Sequence, residues 1–126
     1  MAGGAVAGAG AFVTPVAADD GFEMETLPPD FAWDAGARLL GEIDQLDQSW
    51  VDKWYFEYGV AGNGLPNETR SRNCTDRFGR CQREGETVDK YLVGLDSGTD
   101  YEVRVVGETA DGRSDKGSVV TFTTDT

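Results

Sequence analysis

The segment between residues 88 and 124 constrains the fold more than any other part of the chain, because it contains three short runs in which apolar and polar residues alternate. In the middle run Tyr101, Val103 and Val105 lie two residues apart, which places their side chains on one face of an extended strand. The motifs DSGT and ADGRS separate the runs and are typical of tight turns. The pattern predicts three antiparallel strands joined by two turns.

Three further strands are predicted upstream of this segment. The first begins near Phe22 and is expected to end at Pro28-Pro29, because two prolines remove two backbone donors and belong at an edge or a strand end. A turn over residues 34–36 leads to the second strand, and the aromatic-rich run 50–58 forms the third. Together the runs predict an all-β fold.

The order of these strands, with a leucine and a tyrosine that flank the DSGT turn, resembles a fibronectin type III domain. Leu95 is followed after five residues by Tyr101, and the chain closes with an apolar strand, a glycine-containing hairpin and the motif VTFTT. In the related immunoglobulin sandwich the corresponding tyrosine bonds its hydroxyl back across a corner between two strands. The resemblance covers roughly residues 21–125 and implies a seven-stranded antiparallel sandwich. It also implies a core that includes Leu95, Tyr101, Val103, Val105 and Phe122.

The charge of the chain is strongly unbalanced. It contains 23 acidic and 11 basic residues and no histidine. An acidic, lysine-poor composition is typical of proteins that stay soluble in concentrated salt, where the Debye length falls to about 3 Å at 1 M. We therefore expect a halophilic origin, with an acidic domain of ordinary origin as the alternative. The net charge of −12 argues against nucleic acid and anionic membranes as partners.

The composition divides the chain into an extended N-terminal arm over residues 1–20 and a sandwich domain over residues 21–126. The first eighteen residues carry no charge and are mostly glycine and alanine. We expect this arm to pack against a neighbouring subunit, with Phe12 and Val13 among its contacts. The alternative is a remnant of a secretion signal, since the motif VAA fits a cleavage site, although no basic residue precedes it. The segment is a poor membrane span, because it is rich in glycine and interrupted by a proline.

The connection over residues 61–86 is longer than an unstructured loop in a small domain usually is. It contains the only two cysteines, Cys74 and Cys81, and a disulfide between them would close a short loop. Such a bridge implies an oxidising, extracellular location, while two free thiols in a cytosolic protein are the alternative. Asn67 and Asn73 each begin an acceptor sequence for N-glycosylation.

Two sets of side chains are candidates for partner binding. Five of the eight arginines fall in the 61–86 connection, and we expect them to form a docking patch for an acidic neighbour. The alternative is a solvated loop in which they balance nearby carboxylates. Trp33 and Trp50 lie at predicted strand ends, where aromatic side chains can stay exposed. The arginines are Arg70, Arg72, Arg77, Arg80 and Arg83.

The sequence offers little support for catalysis. With no histidine the chain cannot form a Ser-His-Asp or Cys-His unit, and it contains neither a G-x-S-x-G motif nor a P-loop. Clustered aspartates could bind calcium, yet none shows the spacing of an EF-hand. We therefore expect a protein that is not an enzyme, with no cofactor and no metal site.

These features lead to two functional hypotheses. In the first, the protein is a structural or display subunit of an extracellular particle, such as a capsid decoration, turret, spike or tail component of a halophilic virus. The arm would hold it among other protein subunits, and the sandwich would serve assembly or host attachment. In the second, it is a secreted cell-surface adhesion or filament subunit of a halophilic archaeon. Either protein could recognise a host surface protein or glycan through the tryptophans and the arginine-rich loop.

Overall fold

The computed structural model describes residues 21–47, 50–73 and 84–126, and of Arg72 and Asn73 it describes the backbone only. Within these ranges the chain forms strands and turns but no helix, and so no helix that is long and apolar enough to cross a membrane. The strands are β1 (Phe22–Trp33), β2 (Gly36–Leu46), β3 (Val51–Val60), β4 (Asn67–Glu68), β5 (Arg72–Asn73), β6 (Thr87–Val93), β7 (Asp100–Thr109), β8 (Ser114–Lys116) and β9 (Val120–Thr123).

The strands form two antiparallel sheets. One sheet has the order β1-β2-β6, and the other is built around the pair β3-β7. Both β4 and β5 pair with β3, while both β8 and β9 pair with β7. The two antiparallel sheets confirm the expected all-β sandwich, while the described residues form nine strand segments instead of the seven strands expected.

Strand β1 passes through the double proline instead of ending there. Leu27 pairs with Leu40 and Phe31 pairs with Arg38, so a step of four residues on β1 matches a step of two on β2. The prolines lie in this irregularity, at the edge of the three-stranded sheet, where their missing N–H groups break no ladder. The strand resumes beyond the irregularity and continues to Trp33.

Apolar side chains from both sheets meet in one core. Alternate residues of β2 point inwards, so Leu39 and Ile43 are fully buried, and Phe56 is buried in the same cluster from the opposite sheet. Burial of a side chain of this size stabilises the fold by about 1.5–3 kcal/mol. Of the residues expected in the core, Leu95 is only partly buried and packs against the cluster. The others, Tyr101, Val103, Val105 and Phe122, are buried within it.

The connection between β6 and β7 is held by Tyr101. The backbone N–H of Asp96 donates a hydrogen bond of 2.9 Å to the tyrosine hydroxyl, which closes the corner between the two strands. The ring of Tyr101 is stacked on Phe122 of β9 with centroids 5.8 Å apart. Thr124 adds a second tie, because its hydroxyl donates to the carbonyl of Asp96. The corner therefore joins β6, β7 and β9.

Strand β6 presents apolar residues on both of its faces. Val88 and Leu92 are buried in the core. Tyr91 and Val93 lie on the opposite face of the strand, where they are 60% and 69% exposed. The exposed positions of an antiparallel sheet are usually polar, so two large apolar side chains there suggest that this face has a role besides covering the core.

Candidate docking surface

Three strands bring two large aromatic side chains and an arginine into one row on the outer face of the β1-β2-β6 sheet. Phe31 on β1 lies opposite Arg38 on β2, and Arg38 lies opposite Tyr91 on β6. Phe31 is 58% exposed and Tyr91 is 60% exposed. Directly opposite residues of neighbouring strands have Cβ atoms about 4.5–5.5 Å apart, so the three side chains lie beside one another.

The next row of the sheet places Trp33 over a glycine. Trp33 pairs with Gly36, which pairs with the exposed Val93. A Cβ atom on Gly36 would lie 2.6 Å from Cζ2 of the indole, so the ring occupies the space above the glycine. The indole also contacts the first row, with its centroid 5.5 Å from Phe31 and 6.4 Å from Tyr91. We call the surface formed by Phe31, Trp33, Arg38, Tyr91 and Val93 the aromatic face.

The guanidinium of Arg38 is held between two carboxylates. Its Nη1 donates to Asp30 at 2.7 Å, and its Nε donates to Asp89 at 3.2 Å. The hydrogen bond to Asp89 raises the pKa of Arg38, and the negative charge of Asp30 raises it further, so the group is a fixed cation. Its central carbon lies 6.0 Å from the centre of the Tyr91 ring, within the range of a cation–π contact.

A group of carboxylates lies farther along the same outer face. Glu25 pairs directly with Glu42, and carboxylate oxygens of Glu25, Glu42 and Asp44 lie within 4.8 Å of one another. Burial raises the pKa of neighbouring Glu23, as do its hydrogen bond to Asp44 and the surrounding negative charges. Oxygen ligands of this kind suit a hard cation such as Ca²⁺. We call Glu23, Glu25, Glu42 and Asp44 the acidic cluster.

Solved structures identify the fold but not the partner. No protein-family model and no curated protein matches the chain. The sensor domain of the anti-sigma factor RsgI4 from Pseudobacteroides cellulosolvens is similar with a TM-score of 0.60 and 18% identity, over 83% of this chain and 95% of that one. The fibronectin type III domain of human fibronectin type III domain containing protein 3 gives a TM-score of 0.54 and 16% identity, over 82% of this chain and 84% of that one. The protein has a fibronectin type III fold.

The two candidate tryptophans lie at opposite ends of this fibronectin type III sandwich. Trp33 is next to the turn between β1 and β2, and its carbonyl accepts a hydrogen bond from Asp125. Trp50 is 49% exposed and precedes Val51, which pairs with the last residue of β7, Thr109. At the other end of β3, Val60 pairs with Tyr101, the second residue of β7, and this end lies on the Trp33 side. The structure therefore does not join the two tryptophans into one surface.

Most of the predicted arginine patch lies outside the described residues. Of its five arginines, Arg70 is exposed, and the backbone of Arg72 pairs with Trp54 of β3. Arg77, Arg80 and Arg83 lie outside the described residues, as do Cys74, Cys81, Phe12 and Val13 of the other predictions.

The described residues on either side of the 74–83 segment lie at the Trp50 end of the sandwich. Asn73 pairs with Lys53, near the start of β3. On the other side Gly85 donates its N–H to the carbonyl of Ile43, near the end of β2. These flanking residues lie away from the aromatic face, and the arginine patch stays a separate prediction.

The first glycosylation candidate lies on an exposed edge of the sandwich. Asn67 is exposed and pairs with Tyr58 of β3. The hydroxyl of Thr69 in the same acceptor sequence accepts a hydrogen bond of 3.0 Å from the N–H of Phe56. The second candidate, Asn73, is described only by its backbone in β5. Use of either acceptor stays a prediction.

The sequence pattern predicts a partner-binding role for Trp33 but not for its neighbours on the aromatic face. Phe31 follows a double proline that was expected to end the strand, so its place in the sheet was not apparent. Tyr91 and Val93 belong to an alternating run, and such a run does not say which of its two faces is buried. The sequence does show that the same strand has a second apolar face, because Val88 and Leu92 alternate with Tyr91 and Val93.

Proposed function

We propose that the protein is a non-catalytic docking module of an extracellular assembly and that it binds a protein partner through the aromatic face. The observation that carries this proposal is the contact of three aromatic rings and an arginine on one exposed surface. Large exposed apolar side chains in one patch mark interaction sites on soluble domains. Tryptophan, tyrosine and arginine are also the residues that dominate the binding energy of protein interfaces.

Contacts within the domain hold the side chains of the aromatic face. Trp33 is held between Phe31 and Tyr91, and it lies on the backbone of Gly36. Arg38 is held by Asp30 and Asp89, which limits its rotamers. Immobilising a flexible side chain on binding costs about 0.5–1.5 kcal/mol, so side chains that are already fixed favour affinity.

The other large sheet surface is a poor competitor for this role. On the outer face of the β3-β7 sheet, Arg104 and Lys116 both pair with Glu57, at 2.6 and 3.5 Å. Lys53 pairs with Glu108 at 3.9 Å on the same face. These charges compensate one another within the domain, whereas the aromatic face leaves Val93 and two large rings open to solvent.

Within this proposal the docking module belongs to a virion component of a halophilic virus, with a cell-surface adhesion or filament subunit of a halophilic archaeon as the alternative. Support for both settings comes from the acidic composition and the uncharged N-terminal segment. The likeness to the sensor domain of an anti-sigma factor is in keeping with a recognition role but favours neither setting. Intact mass of the natural protein separates the two, because a mature start at Asp19 supports secretion and an uncut arm supports assembly without export.

Photo-crosslinking from the aromatic face tests the docking function. A photoreactive amino acid at Tyr91 should give a covalent adduct with one protein partner in the native assembly, because this side chain is 60% exposed beside Trp33. Val119 is the matched control position, since it is 47% exposed but lies between β8 and β9. Adding Phe31→Ser should remove the adduct at position 91. The same adducts from both positions, or none from position 91, would contradict the proposal.

A further inference from the structure

We propose that the partner bound by the aromatic face presents lysine or arginine side chains to the acidic cluster, so that one partner covers both parts of the outer face. This inference rests on the proposed docking function and adds the chemical class of the partner. The partner that covers the outer face is therefore a protein segment that combines an apolar anchor with nearby positive charges.

The two parts form one continuous surface. Arg38, Leu40 and Glu42 alternate along β2, and their side chains share the outer face of the sheet. At about 3.3 Å per residue, Glu42 lies roughly 13 Å from Arg38. The half-buried pair Leu27 and Leu40 fills the space between them with apolar surface. A partner of ordinary interface size covers more than this length.

The acidic cluster is not neutralised by the described part of the chain. In the described ranges no salt bridge joins its four carboxylates to a basic side chain, although six other acidic residues form such pairs. Lys116 is the basic residue that lines the same depression as Glu23, and its ammonium is 3.5 Å from Glu57. Asp115 lies there as well and adds another negative charge.

The mutual repulsion of the cluster favours a cationic partner over a second copy of the chain. A basic side chain placed against Glu25 and Glu42 would relieve the repulsion between two carboxylates that face each other across β1 and β2. A second copy would bring an identical cluster and another net charge of −12. The negative charge of the whole chain would also steer a basic partner towards it and speed association.

The test uses the full chain and a phage-displayed library of random 12-residue peptides. We expect selected peptides to combine an aromatic or aliphatic residue with two or more lysines or arginines. The affinity of such a peptide should fall as NaCl rises from 0.1 to 1 M. The double change Glu25→Lys/Glu42→Lys should weaken binding by about tenfold or more and turn the selection towards acidic peptides.

The matched control is Glu68→Lys/Glu102→Lys, which makes the same change in net charge on the other sheet. It should leave the affinity within about twofold, because charges separated by more than a Debye length are largely screened. Thermal unfolding of each variant confirms that it is folded. Selected peptides without positive charge, or equal losses from both charge reversals, would overturn the inference.

Failure of the inference can be told apart from failure of the docking function. If Phe31→Ser/Tyr91→Ser abolishes peptide binding while Glu25→Lys/Glu42→Lys changes nothing, the docking function stands and the basic partner is wrong. If the aromatic variant binds as well as the wild type, the docking function itself is wrong. Two other outcomes also overturn the inference: salt-promoted dimers that the aromatic variant removes, and tight binding of CaCl₂ that Glu25→Gln/Glu42→Gln removes.

Discussion

The indole of Trp33 lies over Gly36, the residue paired with it across the first hairpin of the sandwich. The absence of a side chain at position 36 allows the ring to lie on the sheet instead of pointing into solvent. In this position the indole contacts both Phe31 and Tyr91. The glycine thus shapes a surface to which it contributes no side chain.

The change Gly36→Ala tests this arrangement. Its Cβ would lie 2.6 Å from Cζ2 of Trp33 and would also clash with the carbonyl oxygen of Leu92, so the indole and the neighbouring strand must both move. Overpacking of this kind usually costs about 1–3 kcal/mol, and we expect a loss of that size in urea unfolding with a shift in tryptophan fluorescence. In Trp33→Ala/Gly36→Ala the clash with Leu92 persists, so that variant should recover only part of the loss. A Gly36→Ala variant whose tryptophan fluorescence is unchanged would mean that the indole lies elsewhere.

The tyrosine corner predicts a loss of stability in Tyr101→Phe. The change leaves the N–H of Asp96 without its acceptor while the ring can keep its stacking on Phe122. An unsatisfied backbone donor costs about 1–3 kcal/mol, and we expect the free energy of unfolding to fall by about 1–2 kcal/mol. Tyr91→Phe is the matched control, because that side chain is largely exposed, and its effect should stay within about 0.5 kcal/mol. Equal effects of the two changes would argue against the corner.

The acidic cluster predicts a pH dependence that Glu23→Gln removes. The folded protein raises the pKa of Glu23 above its ordinary value of 4.5, chiefly through burial and then through Asp44, Asp115 and Glu25. The folded state therefore binds more protons at this group than the unfolded state, so its contribution to stability decreases as the pH rises above 4.5. Comparison of the wild type with Glu23→Gln cancels the titration of groups that do not interact with Glu23. We expect the variant to gain stability relative to the wild type as the pH rises from 4.5 to 7, and a constant difference would contradict this.

The two cysteines, which lie outside the described residues, predict a disulfide bond. A disulfide between Cys74 and Cys81 would add about 2.5 kcal/mol on the chain-entropy estimate. Intact mass of the natural protein should increase by two protons on reduction, and alkylation should label both thiols only after reduction. Thiols that react without reductant in native material would favour the alternative of two free cysteines.

Local pattern was enough to predict the sandwich but not its outer surface. The spacing of Tyr101, Val103 and Val105 is a property of a few neighbouring residues, and it predicted an inward face that the structure contains. The double proline was expected to end β1, yet the strand resumes after an irregularity in its pairing with β2. That outcome depends on the partner strand, which no local pattern describes.

The residue order is enough to specify the all-β sandwich, because alternation with a period of two and the turn motifs act over short stretches of chain. Which side chains meet on the outer face depends instead on how the strands pair in the folded domain. Arg38 and Tyr91 are separated by more than fifty residues and become neighbours only through the register between β2 and β6. Phe31 joins them because the irregularity in β1 brings it opposite Arg38. Register is set by the packing of whole sheets, and for that reason the aromatic face could not be read from the order of the residues.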